Sequence, residues 1–243
     1  AAAAGGRRPG AAAGAGMRAA TAFWHFDESV APLAALLGRG GVLAIPTESS
    51  YALAVHPGNA AGCEAIYRLK GRESGKPLPV VIAGLEQLAG LGIAPDLPIL
   101  RLLSAFWPGP LTAVLPLAGA GAAAAPPAAA GTGTLAIRVP GHPLLLALLS
   151  RLGHGLTATS ANRSGSAPVL EPGQAAELLA GTPAMVVDGG LLPGGLPSTL
   201  VAPAGPGEVV VLRAGRLPVE RLRERLRVVS AGAGTVPGAP GLC

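Results

Sequence analysis

Short apolar runs alternating with helical patterns constrain this chain to an α/β fold. The run Val42-Leu43-Ala44-Ile45 is entered through Gly40-Gly41 and left through five consecutive polar side chains, Thr47 to Tyr51. It reads as a buried strand whose end opens into a polar loop. A helical pattern from about Ser29 to Leu37 precedes it. A second, Ala60 to Leu69, follows, with Asn59 as N-cap and Cys63, Ile66 and Leu69 at helical spacing. The alternation continues with a strand at 78–83, helical patterns at 85–91 and 96–106, and strands at 111–117 and 134–139. A helix at 143–152, a strand at 155–159, a helix at 173–180 and strands at 184–188, 198–202 and 208–213 complete it. The pattern predicts a mixed sheet flanked by helices, mixed because the closely spaced late strands need no crossover helix.

The expected domain runs from 23 to 228. Residues 1–22 form an Ala/Gly-rich tail without the apolar core of a signal peptide and are expected to be disordered, Met17 marking a candidate start. Residues 229–243 read as a flexible tail, and the Ala/Gly/Pro-rich stretch 118–133 as a mobile loop. No apolar run reaches the ~18 residues that span a bilayer, so no membrane partner is expected. Cys63 and Cys243 are too few and too far apart for a disulfide framework, which points to a reducing, cytoplasmic setting. The net charge of +5 permits a nucleotide or nucleic acid partner, while an aromatic content of 3% argues against a stacking platform for single strands. Arg216, Arg221, Arg223, Arg225 and Arg227, interleaved with Glu220 and Glu224, read as the solvated face of a last helix.

The run Arg68-Leu69-Lys70-Gly71-Arg72-Glu73-Ser74-Gly75-Lys76 holds both lysines of a chain with 18 basic residues. An ammonium is a compact point charge with three rotatable donors, unlike the planar fork of arginine, so two lysines here suggest an anionic ligand. The structural alternative is that these cations suit the C-terminal end of the helix that starts at Asn59. The run is not a phosphate-binding P-loop: three residues, not four, separate Gly71 from Gly75, and Pro77 follows Lys76 where Ser or Thr is required.

Three polar loops leave strand ends: Thr47 to Tyr51, Ser160 to Ser164, and Pro197-Ser198-Thr199. Ligands of open α/β sheets bind beyond strand ends, which makes these loops candidates for one site, although each alone is ordinary turn chemistry. Arg138 sits inside an apolar strand pattern, where an arginine must face an anion or solvent. Signatures of a serine hydrolase or a zinc site are absent from the sequence. Cations and hydroxyls remain, a set suited to holding a polyphosphate and a small polar substrate.

In order, the chain carries Pro46-Thr47-Glu48, Lys70-Gly71-Arg72, Trp107-Pro108-Gly109-Pro110-Leu111-Thr112 and Arg138-Val139-Pro140. Ser160-Ala161-Asn162-Arg163-Ser164-Gly165, Ser198-Thr199 and Arg213-Ala214-Gly215 follow. With these blocks it resembles the YrdC-type threonylcarbamoyl-AMP synthases, in their short, single-domain form, over about residues 26 to 217. The resemblance implies a twisted α/β fold with a basic concave cleft, and a nucleotidyltransferase joining L-threonine, bicarbonate and ATP, with Mg²⁺, into threonylcarbamoyl-AMP and pyrophosphate. A tRNA threonylcarbamoyl transferase complex would be the downstream acceptor. Carried over by position, Lys70, Arg72, Lys76, Thr134, Asn162 and Arg213 would hold ATP, with Lys70 and Arg72 catalytic. Ser49, Arg138, Ser160 and Ser198 would surround threonine, Arg138 on its carboxylate. No protein ligand for the metal is expected.

Three positions depart from the family pattern: Ser49 stands where Thr is usual, Ala52 where Gly is common, and Val81 where some members carry histidine. A lid over ATP is sought in the 118–133 loop. Lys70→Arg and Lys70→Ala are expected to spare the melting temperature while removing most pyrophosphate release. Two other functions compete: a double-stranded RNA or tRNA-binding module without synthase activity, which the high net charge permits, and carbamoyl transfer in hydrogenase maturation. The short length and missing zinc-finger cysteines speak against the latter.

Overall fold

A computed structural model describes residues 21–71, 74–119, 125–163 and 165–230. In chain order the elements begin with β1 (Ala22–Trp24), α1 (Ala31–Gly38), β2 (Val42–Pro46), β3 (Tyr51–Ala54) and α2 (Ala60–Lys70). Next come β4 (Val80–Val81), α3 (Leu100–Leu103), β5 (Leu111–Pro116), β6 (Thr134–Arg138), α4 (Pro143–Leu152), β7 (Leu156–Thr157) and β8 (Thr159–Ser160). The chain continues with α5 (Pro172–Leu179), β9 (Ala184–Val187), β10 (Thr199–Gly205), β11 (Glu208–Arg213), α6 (Val219–Arg223) and β12 (Arg227–Val229).

The strands form two mixed sheets where the sequence pattern suggests one. The first has the order β1-β9-β2-β3-β8 and the second β12-β11-β10-β5-β6-β4-β7. The reason lies in the stretch 155–159, expected as a single strand. It changes partners at Ala158: Leu156 and Thr157 pair with β4, whereas Thr159 and Ser160 pair with β3. The Thr157 hydroxyl accepts the Val55 N–H (2.9 Å), and the Thr157 N–H donates to the Val55 carbonyl, so the end of β3 is stitched to the switching strand. One extended chain thus joins the two sheets, and the seam between them is where the site lies.

The expected strand at 78–83 shrinks to two residues, because Pro77 and Pro79 have no N–H to give a ladder. The helical patterns at 85–91 and 96–106 fold as short 3₁₀ turns and the four-residue α3, with Leu88, Leu91, Leu100 and Leu103 still buried. In the stretch 118–133, residues 120–124 lie outside the described residues, but the second half is packed rather than mobile. Ala128 and Ala129 are fully buried, the Leu78 N–H donates to the Ala128 carbonyl, and the Ala128 N–H donates to the Pro57 carbonyl. The last helix, α6, has only five residues, and its ion pairs Arg221–Glu224 and Arg223–Glu220 are exposed as expected. Arg227 belongs instead to β12, and Arg216 turns toward the site. Most of residues 1–22 and 229–243, expected as tails, fall outside the described residues.

α2 follows its sequence signals. The Asn59 carboxamide accepts the Gly62 N–H (2.9 Å), and Gly71 ends the helix in the left-handed region at φ 57°. Cys63, Ile66 and Tyr67 face the core, and burial raises the Cys63 thiol to about 11. Among the described residues, no helix is long and apolar enough to cross a membrane.

Candidate active site

A cavity of about 190 Å³ opens at the seam, lined among others by Ser49, Thr112, Arg138, Ser160, Ser198 and Arg213. Pockets for whole cofactors run to roughly 300–1,000 Å³, so this one suits a small molecule. The three polar loops predicted to converge do so: Thr47, Ser49 and Ser50 come from the β2–β3 connection, Ser160 from the end of β8, and Pro197 and Ser198 from the entry to β10.

At one end stands Arg138, the last residue of β6. Its Nε donates to the Gly109 carbonyl (2.9 Å) and its Nη2 to Glu48 Oε1 (2.5 Å). Both side chains are largely buried, 14% and 17% exposed. Burial pulls the guanidinium below its ordinary value, Glu48 pushes it back up, and Arg216 and Arg213 lower it again. Two further guanidinium groups therefore act on Arg138, opposed by Glu48. Gly109 must be glycine, since a Cβ would sit 2.5 Å from the Phe106 carbonyl oxygen. Ser198 shares a hydrogen bond with Thr112 between their hydroxyls (2.7 Å), and its carbonyl accepts from Arg213 Nη2 (3.1 Å). Gly215 packs so closely on this turn that a Cβ would meet the Pro197 carbonyl oxygen at 2.3 Å, which accounts for the glycine of the Arg-Ala-Gly block.

At the other end Lys70, 5% exposed, points inward from the last turn of α2. Its Nζ donates to the carbonyls of Ser160 (2.7 Å) and Asn162 (3.0 Å), with the Asn162 carboxamide oxygen at 3.4 Å and the Ser160 hydroxyl at 3.5 Å. The Ser160 hydroxyl donates to Asn162 Oδ1 (2.5 Å), so the lysine and the Ser-x-Asn pair form one unit. Lys70 therefore also ties down the Ser160–Asn162 loop, a contact that the helix-end reading of this lysine does not include.

The structure thus gathers Ser49, Arg138, Ser160, Ser198 and Arg213 around one cavity, with Lys70 and Asn162 behind Ser160. Lys76 is exposed and Thr134 lies four residues before Arg138 on β6, about 13 Å away along the strand; neither lines the cavity. Arg72 lies outside the described residues. Ala52 and Val81 both line the cavity, and Ala52 sits in regular β3 paired with Ser160, so the position demands no left-handed backbone. Sequence reasoning gave Glu48 and Thr112 no role in the site and placed Arg216 on a solvated helix face instead. The first two lie in the quoted blocks Pro-Thr-Glu and Trp-Pro-Gly-Pro-Leu-Thr and the third directly follows Arg-Ala-Gly, so proximity to a block was the signal that could have found them.

The geometry defines an α/β protein with a strand-end cavity that offers arginine and hydroxyl groups to a small polar ligand. A family model, Sua5_yciO_yrdC, described as "Telomere recombination", matches residues 35–215, and the chain belongs to this family. It is 40% identical over 197 residues to a threonylcarbamoyl-AMP synthase of Bacillus subtilis, a match covering 81% of this chain and 56% of that protein. It is 38% identical over 169 residues to the threonylcarbamoyl-AMP synthase of Thiobacillus denitrificans, covering 70% and 88%. The crystal structure of P. abyssi Sua5 complexed with L-threonine superposes with a TM-score of 0.69 at 30% identity, covering 87% of this chain and 63% of that one. The chain therefore spans little more than half of the Bacillus relative and most of the Thiobacillus one.

Proposed function

We propose that the chain is an L-threonylcarbamoyladenylate synthase, a nucleotidyltransferase acting on L-threonine, bicarbonate and ATP. The observation that carries this reading is the convergence of Ser49, Arg138, Ser160, Ser198 and Arg213, from five separate segments, on a cavity of small-substrate size. Its support from relatives is that two carry this activity in their names and that one similar structure is a complex with L-threonine. In this reading the threonine carboxylate meets Arg138, and the hydroxyls of Ser49, Ser160 and Ser198 surround the rest of the amino acid. The threonine nitrogen forms a C–N bond with the carbon of bicarbonate and water is lost. A carbamate oxygen then bonds to the α-phosphorus of ATP as the bond to pyrophosphate breaks. The triphosphate is assigned to Lys70, Arg72, Lys76, Thr134, Asn162 and Arg213, whose cations offset the charge that gathers on the departing pyrophosphate.

Among the described residues no group of three or more His, Cys, Asp or Glu side chains is placed to hold a metal ion. In this reading Mg²⁺ enters as the magnesium complex of ATP, as part of the substrate. The product would pass to a tRNA threonylcarbamoyl transferase complex in the cytoplasm. Purified protein with magnesium and ATP should release pyrophosphate only when threonine and bicarbonate are both present. Release that ignores threonine rejects the synthase.

A further inference from the structure

We propose that Glu48 is the positioning residue for Arg138: it fixes the guanidinium plane so that the remaining donors meet the carboxylate of the amino-acid substrate. This rests on the synthase reading for the identity of that substrate. A planar guanidinium at the end of a flexible stem needs two fixed points to hold its orientation. Gly109 supplies one, through its carbonyl on Nε, and Glu48 Oε1 supplies the other, on Nη2. The other three N–H groups of Arg138 make no hydrogen bond among the described residues, and Arg138 lines the cavity.

Glu48 is itself anchored, because Oε1 also accepts the Gly141 N–H (2.5 Å) and the Glu48 carbonyl accepts from Arg216 Nη1 (3.2 Å). Its second oxygen, Oε2, is buried and makes no hydrogen bond among the described residues. The carboxylate is held where Arg138 needs it. Glu48 also comes from the β2–β3 connection of the first sheet whereas Arg138 ends a strand of the second. The pair therefore bridges the segments that bring Ser49 and Arg138 to the cavity. Arg213 and Arg216 repel Arg138, so without Glu48 the guanidinium would swing away from them.

The test compares Glu48→Ala and Glu48→Gln with the wild type in two measurements. The first is the exchange rate of the Arg138 Nε–H in nitrogen-15 spectra, its resonance assigned by its loss in Arg138→Lys. The second is the KM for threonine and the kcat of pyrophosphate release. In Glu48→Ala, exchange should quicken and the threonine KM should rise about tenfold with kcat within twofold, the loss expected for one charge-assisted contact. Glu48→Gln, which keeps an acceptor oxygen, should recover part of both. Unchanged exchange overturns the proposal whatever the activity. So does an unchanged or lower threonine KM, the lower value identifying Glu48 as a competitor for Arg138, and so does a loss confined to kcat. A wild type without threonine-dependent release rejects the synthase reading, and the exchange rates still decide whether Glu48 fixes Arg138. Should Glu48→Ala not fold, Glu48→Asp, with its charge drawn back by one methylene, takes its place in both measurements.

Discussion

Arg138 and Lys70 are buried cations beside the same cavity, yet they are held in different ways. Arg138 is pinned along one edge by a carboxylate from the opposite sheet and keeps donors toward the cavity. Among the described residues, Lys70 donates to the carbonyl and side-chain oxygens of Ser160 and Asn162. A cation that keeps donors for a ligand acts on binding, whereas one directed into a loop acts first on the shape of that loop. Two residues that look alike as basic positions in a motif therefore differ in what their loss should do.

Removing Arg138 should have the largest effect. Arg138→Ala leaves Glu48 as a largely buried charge without its partner, which costs about 3 kcal/mol and lowers the melting temperature by roughly 6–12 °C. Threonine-dependent pyrophosphate release should fall by about a hundredfold. The double variant Glu48→Ala/Arg138→Ala should regain part of the melting temperature and none of the activity. Equal losses of stability in the single and double variants would show that the pair is not a unit.

Lys70→Ala comes next and sharpens the comparison from the other side. Stranding the carbonyls of Ser160 and Asn162 should cost about 2–3 kcal/mol, a fall of roughly 5–10 °C by calorimetry. The sequence alone suggests no such fall, because a lysine at a helix end contributes only a fraction of a kcal/mol. A melting temperature unchanged within two or three degrees, with activity gone, would return Lys70 to a direct role on the phosphates and erase the contrast.

Acidification should act at the Arg138 end through His142. His142 caps α4 by accepting the Leu145 N–H at Nδ1 (3.3 Å), and burial lowers its pKa below the usual 6.5 while Glu48 raises it. Because the folded state resists protonation more than the unfolded one, the cap's contribution is complete above pH 6.5 and is lost as pH falls through the folded value. Melting curves between pH 7 and 5 should show a loss of about 1 kcal/mol, or roughly 2–4 °C, from this residue. His142→Asn, which caps without titrating, should remove that part of the pH dependence. Equal acid sensitivity in the variant would discharge His142 from this role.

The smallest effect belongs to Ala52, beside Ser160 in β3. Restoring the glycine common in the family should destabilise by about 0.5–1 kcal/mol, through the entropy of the unfolded chain, and should not raise activity. A gain in turnover would show that the methyl group obstructs the cavity.

The strands and helices that frame the site were legible because each buries one face and so writes its period into the sequence. Val42–Ile45, α2 with its Asn59 cap, and α4 with its apolar face all lie where periodicity placed them. That Ser49, Arg138, Ser160 and Ser198 line one cavity was legible as well, from three polar loops at strand ends, an arginine inside an apolar strand and the order of the family's blocks. The division into two sheets was not, since it turns on a change of pairing at Ala158, and hydrogen-bond partners across 100 residues leave no local trace. Nor was the reach of Thr134 and Lys76, for a motif gives order along the chain but not distance.

By itself the sequence determined the class of fold, the list of polar loops and the family to which the chain belongs, because periodicity and motif are properties of neighbours along the chain. Tertiary structure alone decided that Glu48 faces Arg138 across the seam, that Lys70 turns inward to the Ser160–Asn162 loop, and that Arg216 leaves the last helix for the site. Each of these depends on where two distant backbones meet, and a charge acts through the distance and burial that this meeting sets.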